Sequence, residues 1–370
     1  MKKPKHTIGF VAAVLFVGVL PASAQLSPAE PDPLARIRDA ANTNVQACSA
    51  TGETLCEQVA PKIIANAQGN SPLAENVRRL MEGPKGPNQE SPREAPAVAW
   101  AVAAFREAGV EVHTEEYLVA PRVPQHGVAE IVAAEIRGRE KADEWVLLGA
   151  DLDPSESGAI TINAASNAAL VIEAARDIQL TGVRPRRSIR FVLFGGEGQG
   201  MTGAWAYLRG HRNELDRARG AFLFDADANR PNGIVLNGRH DVESGVREAL
   251  KPAQSMGAVS IGFNAPDDSD GIDLLLEGIP TIVGTPLEAT GHGPYPLSDP
   301  ASNIDVWQLK RNTAIAAVAT FGIAERAEPI GPRQSRAEIE TLLETTGLAD
   351  KMKAKGIWPL WESGRRGRVP

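Results

Sequence analysis

Apolar runs alternate with a helical pattern between Trp145 and Gly203. Val146 to Leu148 and Phe191 to Phe194 are short, wholly apolar and close to glycine, as buried parallel strands are. Between them, Ala164 to Ile178 is too long for a strand and is rich in helix-forming residues. The pattern predicts a strand, a helix and a second strand, which together make a βαβ unit of a parallel sheet.

The same kind of pattern continues on both sides of this unit. It predicts further strands at residues 110–119, 128–136, 220–225, 234–236, 259–263 and 280–285. Helices are predicted at residues 34–46, 55–68, 73–81, 91–108, 203–212, 242–250, 270–277, 306–324 and 335–355. We expect the helix at 306–324 to be amphipathic. Together these elements predict an α/β fold: a three-layer sandwich with a mostly parallel central sheet and helices on both faces.

Acidic residues follow the two strands of the βαβ unit. Asp151 and Asp153 come at the end of the first strand, and Glu197 follows the second. In open parallel sheets, ligands bind beside the carboxyl ends of the strands, so these carboxylates predict a pocket there. A purely structural reading is also open, in which the aspartates cap a loop and Glu197 is a carboxylate at a helix N-terminus.

Four short motifs favour the functional interpretation of these carboxylates over the purely structural one. The first strand ends in Gly149-Ala-Asp-Leu-Asp153, the helix opens with Asn163-Ala164, and the second strand leads to Glu197-Gly-Gln-Gly200. A later strand ends in Phe224-Asp-Ala-Asp227. These motifs resemble those of the zinc-dependent exopeptidases, the family that includes bacterial aminopeptidases and plasma glutamate carboxypeptidase. The resemblance extends over roughly residues 83–325 and implies the compact α/β fold of that family.

The resemblance implies a site for two zinc ions, held in the family by His, a bridging Asp, Glu, Asp and His. Carried over one by one, these ligand positions are Asp151, Asn163, Gly198, Asp227 and Tyr295. Of these five residues, only Asp227 is of the same type as the family's ligand at its position. His292 lies three residues before Tyr295 and would be the last ligand if the two sequences align with a short gap.

Other functional positions of the family are retained. Glu197 matches the general base, and Asp153 matches the residue that orients the first His ligand. Ser269-Asp270 matches a step that begins a helix beside the pocket, so Asp270 is assigned to the binding pocket.

The changed ligands argue against a metal pair. Two dications about 3.5 Å apart repel each other by roughly 20 kcal/mol at an effective dielectric constant of about 20. A bridging carboxylate offsets much of this repulsion, but Asn163 is uncharged and Gly198 has no side chain. We therefore expect no cofactor. A single metal, if one binds, would be held by Asp151, Asp227 and His292, and zinc would be expected only if the protein is active.

Two classes of function follow from these residues. In the first, the protein is a non-catalytic homologue of the peptidases. It binds a peptide, an amino-acid-like ligand or a protein partner in the cleft that corresponds to the active site of the peptidases. In the second, it is an active metal-dependent exopeptidase in which Glu197 is the general base. The fold cannot decide between them, because function depends on the site.

The N-terminus reads as a secretory signal peptide over residues 1–24. Lys2, Lys3 and Lys5 precede an apolar run at residues 8–20, and Ala22-Ser-Ala24 is a small-residue cleavage site. That run is shorter than the roughly 20 residues needed to span a bilayer. We expect an exported protein, periplasmic or secreted, that is not bound to membrane after cleavage. Loss of the three lysines lowers the formal net charge from -7 to -10, which argues against nucleic acid as a partner.

The mature chain divides into three parts by pattern and resemblance. Residues 25–82 form an N-terminal helical segment, 83–325 the exopeptidase-like domain, and 326–370 a C-terminal helix and tail. Tyr117 to Val128 is too short a stretch to hold the apical domain that larger relatives insert there. Cys48 and Cys56 are close together in an exported chain, so we expect a disulfide between them. A redox pair is disfavoured because the Cys-x-x-Cys spacing is absent.

Overall fold

The structure is a computed structural model. It describes residues 52–82, 94–118, 128–152, 160–195, 202–225, 233–257, 259–265, 269, 271–285 and 304–369. The strands are β1 Glu111–Leu118, β2 Val128–Ile136, β3 Lys141–Asp151, β4 Arg187–Phe194, β5 Ala218–Phe224, β6 Gly233–Val235, β7 Ile261–Gly262 and β8 Thr281–Thr285. The α-helices are α1 Gly52–Gln68, α2 Leu73–Glu82, α3 Glu94–Glu107, α4 Ile162–Gln179, α5 Thr202–Gly210, α6 Glu243–Leu250, α7 Gly271–Leu276, α8 Val306–Glu325, α9 Arg336–Thr345, α10 Leu348–Ala354 and α11 Trp358–Glu362.

The eight strands form one mixed sheet in the order β1-β2-β4-β3-β5-β8-β6-β7. The four strands at its centre, β4, β3, β5 and β8, run parallel to one another, as the βαβ pattern predicts. Strand β2 pairs antiparallel with β4, β1 pairs antiparallel with β2, and β6 pairs antiparallel with β8. The edge strand β7 pairs parallel with β6, so the sheet has a parallel centre with antiparallel pairs on both sides of it.

Alternate residues of the central strands pack on opposite faces, because side chains of a strand alternate in direction. In β3, Val146 and Leu148 belong to a core cluster that includes residues of α1, α4 and α8. Trp145 and Leu147 belong to a second cluster, built with residues of α5 and α7. The expected three-layer sandwich, with helices on both faces of the sheet, is confirmed.

Helix α8 corrects one prediction, since it is not amphipathic. Seventeen of its twenty residues are buried, including polar ones. The helix lies between the sheet and helices α1, α4 and α6, so it has almost no solvent face. Its polar side chains find distant partners: Arg311 Nε donates to the Met256 carbonyl at 2.7 Å, and Glu325 accepts from Arg139 at 2.5 Å. Long-range partners of this kind cannot be read from helical spacing.

The C-terminal region corrects a second prediction. The single helix expected at residues 335–355 is two helices, α9 and α10, and the chain turns between them at Gly347, whose φ is 73°. Glycine adopts this left-handed conformation without the steric cost that a Cβ brings. The predicted capping box at the start of α9 is confirmed, with Ser335 and Glu338 each accepting from the other's backbone amide. Trp361 is buried, and the Arg336 guanidinium lies 3.9 Å from its ring centroid.

A charged network fastens the edge strand β1 to the residues that follow α5. Glu115 Oε2 lies 2.8 Å from His211 Nε2, and the Tyr117 hydroxyl donates to the same carboxylate. Burial raises the pKa of Glu115, but the hydrogen bonds from His211 and Tyr117 outweigh it and lower the pKa to about 2. The pKa of His211 is raised: burial lowers it, and hydrogen bonds to Glu115 and Glu214 more than compensate. Both shifts favour the ionised forms of Glu115 and His211.

Strands β1 and β2 form an antiparallel hairpin in which Leu118 is opposite Val128. Residues 119–127 join them, which leaves no room for an inserted apical domain. Cys48, the signal-peptide region and the predicted helix at 34–46 lie outside the described residues, so the Cys48–Cys56 disulfide stays a prediction. None of the helices in the described ranges is both long enough and apolar enough to cross a membrane.

Candidate functional site

A cavity of about 130 Å³ lies where strands β3 and β5 end and helix α4 begins. Its lining contains carboxylate, amide and hydroxyl side chains beside a few apolar ones. The lining residues are Ala150, Asp151, Thr161, Asn163, Ala164, Asn167, Leu223, Phe224, Asp225 and Ser269. This is the edge of the sheet at which a parallel α/β fold is expected to bind its ligand.

The register of the parallel strands brings two carboxylates to this cavity. Gly149 of β3 is aligned with Leu223 of β5, and Asp151 and Asp225 each lie two residues further along. Because strand side chains alternate with a period of two, both aspartates lie on the same side at the same rim. The Asp225 amide also donates to the Gly284 carbonyl at 2.9 Å, which ties this strand end to β8.

Helix α4 supplies the uncharged polar groups. Thr161 is its N-cap, and the Thr161 hydroxyl accepts from the Ala164 amide at 3.2 Å. Asn163 and Asn167 are four residues apart, so they lie on the same face of the helix, and both line the cavity. Asn167 is only 5% exposed.

A close contact fixes the chain on either side of residues 196–201, the segment that contains Glu197 and Gly198. A Cβ placed on Gly203 would overlap the Gly195 carbonyl oxygen. Any larger residue at position 203 would therefore push the start of α5 away from the end of β4. The glycine that closes the Glu197 motif is required by this approach.

The structure brings together two of the residues assigned from the sequence, Asp151 and Asn163, on one cavity. The other assigned positions lie outside the described residues, and their roles stay predictions. These positions are Asp153, Glu197, Gly198, Asp227, Asp270, His292 and Tyr295.

Among the polar lining residues that sequence reasoning missed are Thr161, Asn167 and Asp225. Each had a signal: threonine is a favoured N-cap, Asn167 is one helical turn after Asn163, and Asp225 directly follows a buried strand. The motif comparison directed attention to Asp227 instead. Only the register between β3 and β5 shows that Asp225 reaches the same cavity as Asp151.

The described lining does not fit a pair of zinc ions. It offers two carboxylates and no His or Cys, whereas zinc sites in proteins are built from His, Cys and carboxylate. Across the described ranges, no group of three or more His, Cys, Asp or Glu side chains is close enough to hold a metal. The sequence resemblance assigns Asn163, an amide, to the position of the family's bridging carboxylate, and that assignment stays a prediction.

The sheet topology and the cavity at its carboxyl rim define an α/β protein whose candidate ligand site lies at the ends of its parallel strands. The particular family follows from the sequence: the model of peptidase family M28 matches residues 131–319, and the chain belongs to that family. The solved Peptidase M28 precursor from Shewanella amazonensis SB2B shares the fold, with a TM-score of 0.61 and 17% identity, over 76% of this chain and 100% of that one.

One further solved structure shares the fold, and one related sequence matches part of the chain. BSAP, a zinc aminopeptidase from Bacillus subtilis, has a TM-score of 0.52 and 13% identity, over 72% of this chain and 94% of that one. Carboxypeptidase Q of Rattus norvegicus is 25% identical over 199 residues, which is 53% of this chain and 41% of the rat protein. The chain thus matches less than half the length of this relative.

Proposed function

We propose that this chain is an exported, non-catalytic member of peptidase family M28 whose cleft binds a peptide, an amino-acid-like ligand or a protein partner. One observation carries the proposal: Asn163 lines the same cavity as Asp151, at the position where the family has its bridging aspartate. On this proposal the mature protein acts outside the cytoplasm, in the periplasm or as a secreted protein.

The loss of the bridging charge removes the chemistry of the family. A zinc ion lowers the pKa of its bound water to about 7, which makes a nucleophile at neutral pH. Glu197 is assigned as the general base. Without a metal it would have to remove a proton from ordinary water, whose pKa is about 15.7. The side chains replaced in this chain are ones that bind the metal directly in the family. Replacing even the residues that only orient the metal ligands typically lowers metal affinity or activity by about 10 to 100-fold.

The lining supports ligand binding in place of hydrolysis. The side-chain amides of Asn163 and Asn167 both donate and accept hydrogen bonds, which complements a peptide group. Asp151 and Asp225 add negative charge for a cationic group on the ligand. The competing proposal, an active exopeptidase with Glu197 as general base, is favoured by family membership and by the retention of that glutamate.

We predict that the purified mature protein hydrolyses neither aminoacyl-p-nitroanilides nor unblocked dipeptides, with or without added ZnCl₂, because no metal-bound water forms. Initial rates are measured beside the Glu197→Gln variant as the matched control. The wild type and the variant should give the same background rate. Zinc-dependent hydrolysis that disappears in Glu197→Gln would establish the active exopeptidase instead.

A further inference from the structure

The imidazole ring of His211 lies between two carboxylates. Its Nε2 is 2.8 Å from Glu115 Oε2, and its Nδ1 is within hydrogen-bonding distance of Glu214 Oε1. A neutral imidazole donates from one ring nitrogen and accepts at the other, whereas an ionised carboxylate only accepts. Both contacts are therefore hydrogen bonds only while the ring carries two protons and a positive charge.

The two carboxylates belong to different parts of the fold. Glu115 is on β1, the edge strand that pairs with β2 alone in the described sheet. Glu214 is in the 3₁₀ helix that follows α5, and Arg190 of the central strand β4 donates from Nη2 to its other carboxylate oxygen at 2.9 Å. His211 therefore connects the edge strand to a group that is held by the centre of the sheet.

We infer that His211, with Glu115 and Glu214, is a proton-dependent latch for strand β1. The doubly protonated ring holds β1 against the body of the protein, and loss of one proton releases it. After that loss, one ring nitrogen turns a lone pair towards a carboxylate, so one of the two contacts becomes repulsive. The inference concerns the edge of the sheet and is independent of the proposed function of the cavity.

The latch acts at the same rim of the sheet as the cavity. Strand β2 runs antiparallel to β4, and β1 runs antiparallel to β2, so the end of β1 lies at the carboxyl ends of the central strands. Glu115 is aligned with Ile131, one residue beyond the pair of Val132 and Leu193 in the direction of that rim. Release of the latch would therefore loosen β1 in the half of the strand that approaches the rim.

The other buried groups around the ring keep their charge while His211 titrates. Burial raises the pKa of both carboxyl groups, but hydrogen bonds from the ring and from other donors outweigh it: the pKa of Glu115 is lowered to about 2, and that of Glu214 is also lowered. Burial raises the pKa of Tyr117 and of Tyr207, whose ring lies against the imidazole. From about pH 6 to pH 9 the carboxylates are thus ionised and the phenols protonated.

Two further ionisable groups face this network from the strands. His113 Nε2 is 2.9 Å from the second oxygen of Glu115, but the His113 side chain is 61% exposed, so solvent screens its charge. Glu135 of β2 accepts from Arg190 Nε at 3.4 Å and does not contact the ring. The buried ring of the latch is therefore the group whose proton we expect to control β1.

The direction of the pH dependence follows from the position of His211. Burial lowers the pKa of His211, but hydrogen bonds to Glu115 and Glu214 more than compensate and raise it above the ordinary value of about 6.5. The stabilisation of β1 by the latch is therefore complete below about pH 6.5, and it is lost as pH rises through the folded-state pKa.

Hydrogen–deuterium exchange of the mature protein between about pH 6 and pH 9, followed by mass spectrometry, tests the latch. Each rate is divided by the intrinsic rate at that pH, which gives protection factors for peptides that cover β1 and β4. We expect the protection of β1 to fall about tenfold or more over this range, the effect of losing one hydrogen bond to a charged group. The protection of β4, at the centre of the sheet, should stay constant.

Glu214→Gln distinguishes a latch from a merely structural contact. A glutamine accepts from Arg190 through its oxygen and donates to a neutral His211 through its amide, so both contacts survive without the second proton. The protection of β1 in this variant should stay constant with pH. In His211→Gln it should be low at every pH. His240→Gln is the matched control, since His240 is exposed and follows β6 near the opposite edge of the sheet, and it should keep the wild-type fall.

The outcomes decide the inference without reference to zinc or hydrolysis. A fall in wild type and in His240→Gln that disappears in Glu214→Gln would support it. Protection of β1 that does not change with pH in wild type, or a fall of the same size in Glu214→Gln, would overturn it. A fall that disappears in His113→Gln would assign the effect to the exposed histidine and would also overturn it. An NMR titration of the wild-type His211 ring needs no variant, and a pKa at or below about 6.5 there would contradict the latch.

Discussion

Arg366→Ala is expected to destabilise the protein by about 3 to 5 kcal/mol, the typical cost of removing one partner of a buried ion pair. Arg366 and Asp273 are 3% and 1% exposed, and the guanidinium donates to both carboxylate oxygens at 2.7 Å. This pair ties the C-terminal tail to helix α7, beside the sheet. Without Arg366, Asp273 would be a buried charge without its partner. The free energy of unfolding is measured by urea denaturation followed by circular dichroism.

The neighbouring residue offers the control for this experiment. Arg365 is exposed, and its hydrogen bonds within the described residues come from its backbone: the amide donates to the Leu360 carbonyl, and the carbonyl accepts from the Trp205 indole N–H. Arg365→Ala should therefore change the free energy of unfolding by less than about 0.5 kcal/mol. The double variant Asp273→Leu/Arg366→Met removes both charges and should recover most of the lost stability. A loss below about 1 kcal/mol for Arg366→Ala would show that the tail is not anchored by this pair.

Asp177→Asn is expected to stabilise the protein at neutral pH, by about 1 to 3 kcal/mol. Asp177 is fully buried in α4, and neither of its carboxylate oxygens accepts a hydrogen bond from the residues that the structure describes. Arg176 Nη1 lies 3.7 Å from its Oδ1. Burial first, and then the charge of Glu173 one turn earlier, raise the pKa of Asp177 well above its usual value. An asparagine removes the buried charge and can donate to Glu173, whose Oε2 has no hydrogen bond in the described part of the chain.

The sign of the pH dependence follows from the raised pKa. Below the unfolded-state pKa of aspartate, both the folded and the unfolded forms are protonated, and the carboxyl group has no ionisation cost. As pH rises towards the folded-state pKa, the unfolded chain ionises first, so wild type loses stability relative to Asp177→Asn. The gap between the two urea midpoints should therefore widen from about pH 4 upwards. Asp350→Asn, at an aspartate whose side chain is 88% exposed, should show no such trend. A constant gap would mean that Asp177 does not titrate with a raised pKa.

The elements of this fold that local sequence determines were predictable. Strand β2 has the predicted bounds, Val128–Ile136, and helix α4 extends the predicted 164–178 by a few residues at its ends. Both are long segments with a clear pattern. The break at Gly347 had a local signal in the glycine itself, but helical spacing continues on both sides of it and hid the break. The burial of α8 had no local signal in the sequence. Its buried carboxylate Glu325 accepts a hydrogen bond from Arg139, which is 186 residues away in the sequence.

The candidate site was predictable to the extent that it depends on strand ends. Asp151 and Asn163 reach one cavity because β3 and α4 are consecutive elements of one βαβ unit. Asp225 was not assigned, because its place depends on the register between β3 and β5. The aligned residues Val146 and Gly220 are 74 residues apart in the sequence, and strand β4 lies between the two strands along the chain. A sequence pattern identifies the strand that a residue ends, but it does not fix which neighbouring strand lies beside it.

The zinc content of the purified protein tests the central claim most directly, which is that this M28 family member no longer holds a metal pair. The protein is dialysed against metal-free buffer, or incubated with ZnCl₂ and then dialysed, and zinc is counted per chain by elemental mass spectrometry. We predict well below one zinc per chain in both samples, because the sequence resemblance assigns an amide, Asn163, to the bridging position and the described cavity lining holds neither His nor Cys. Two zinc ions per chain that survive dialysis would contradict the account.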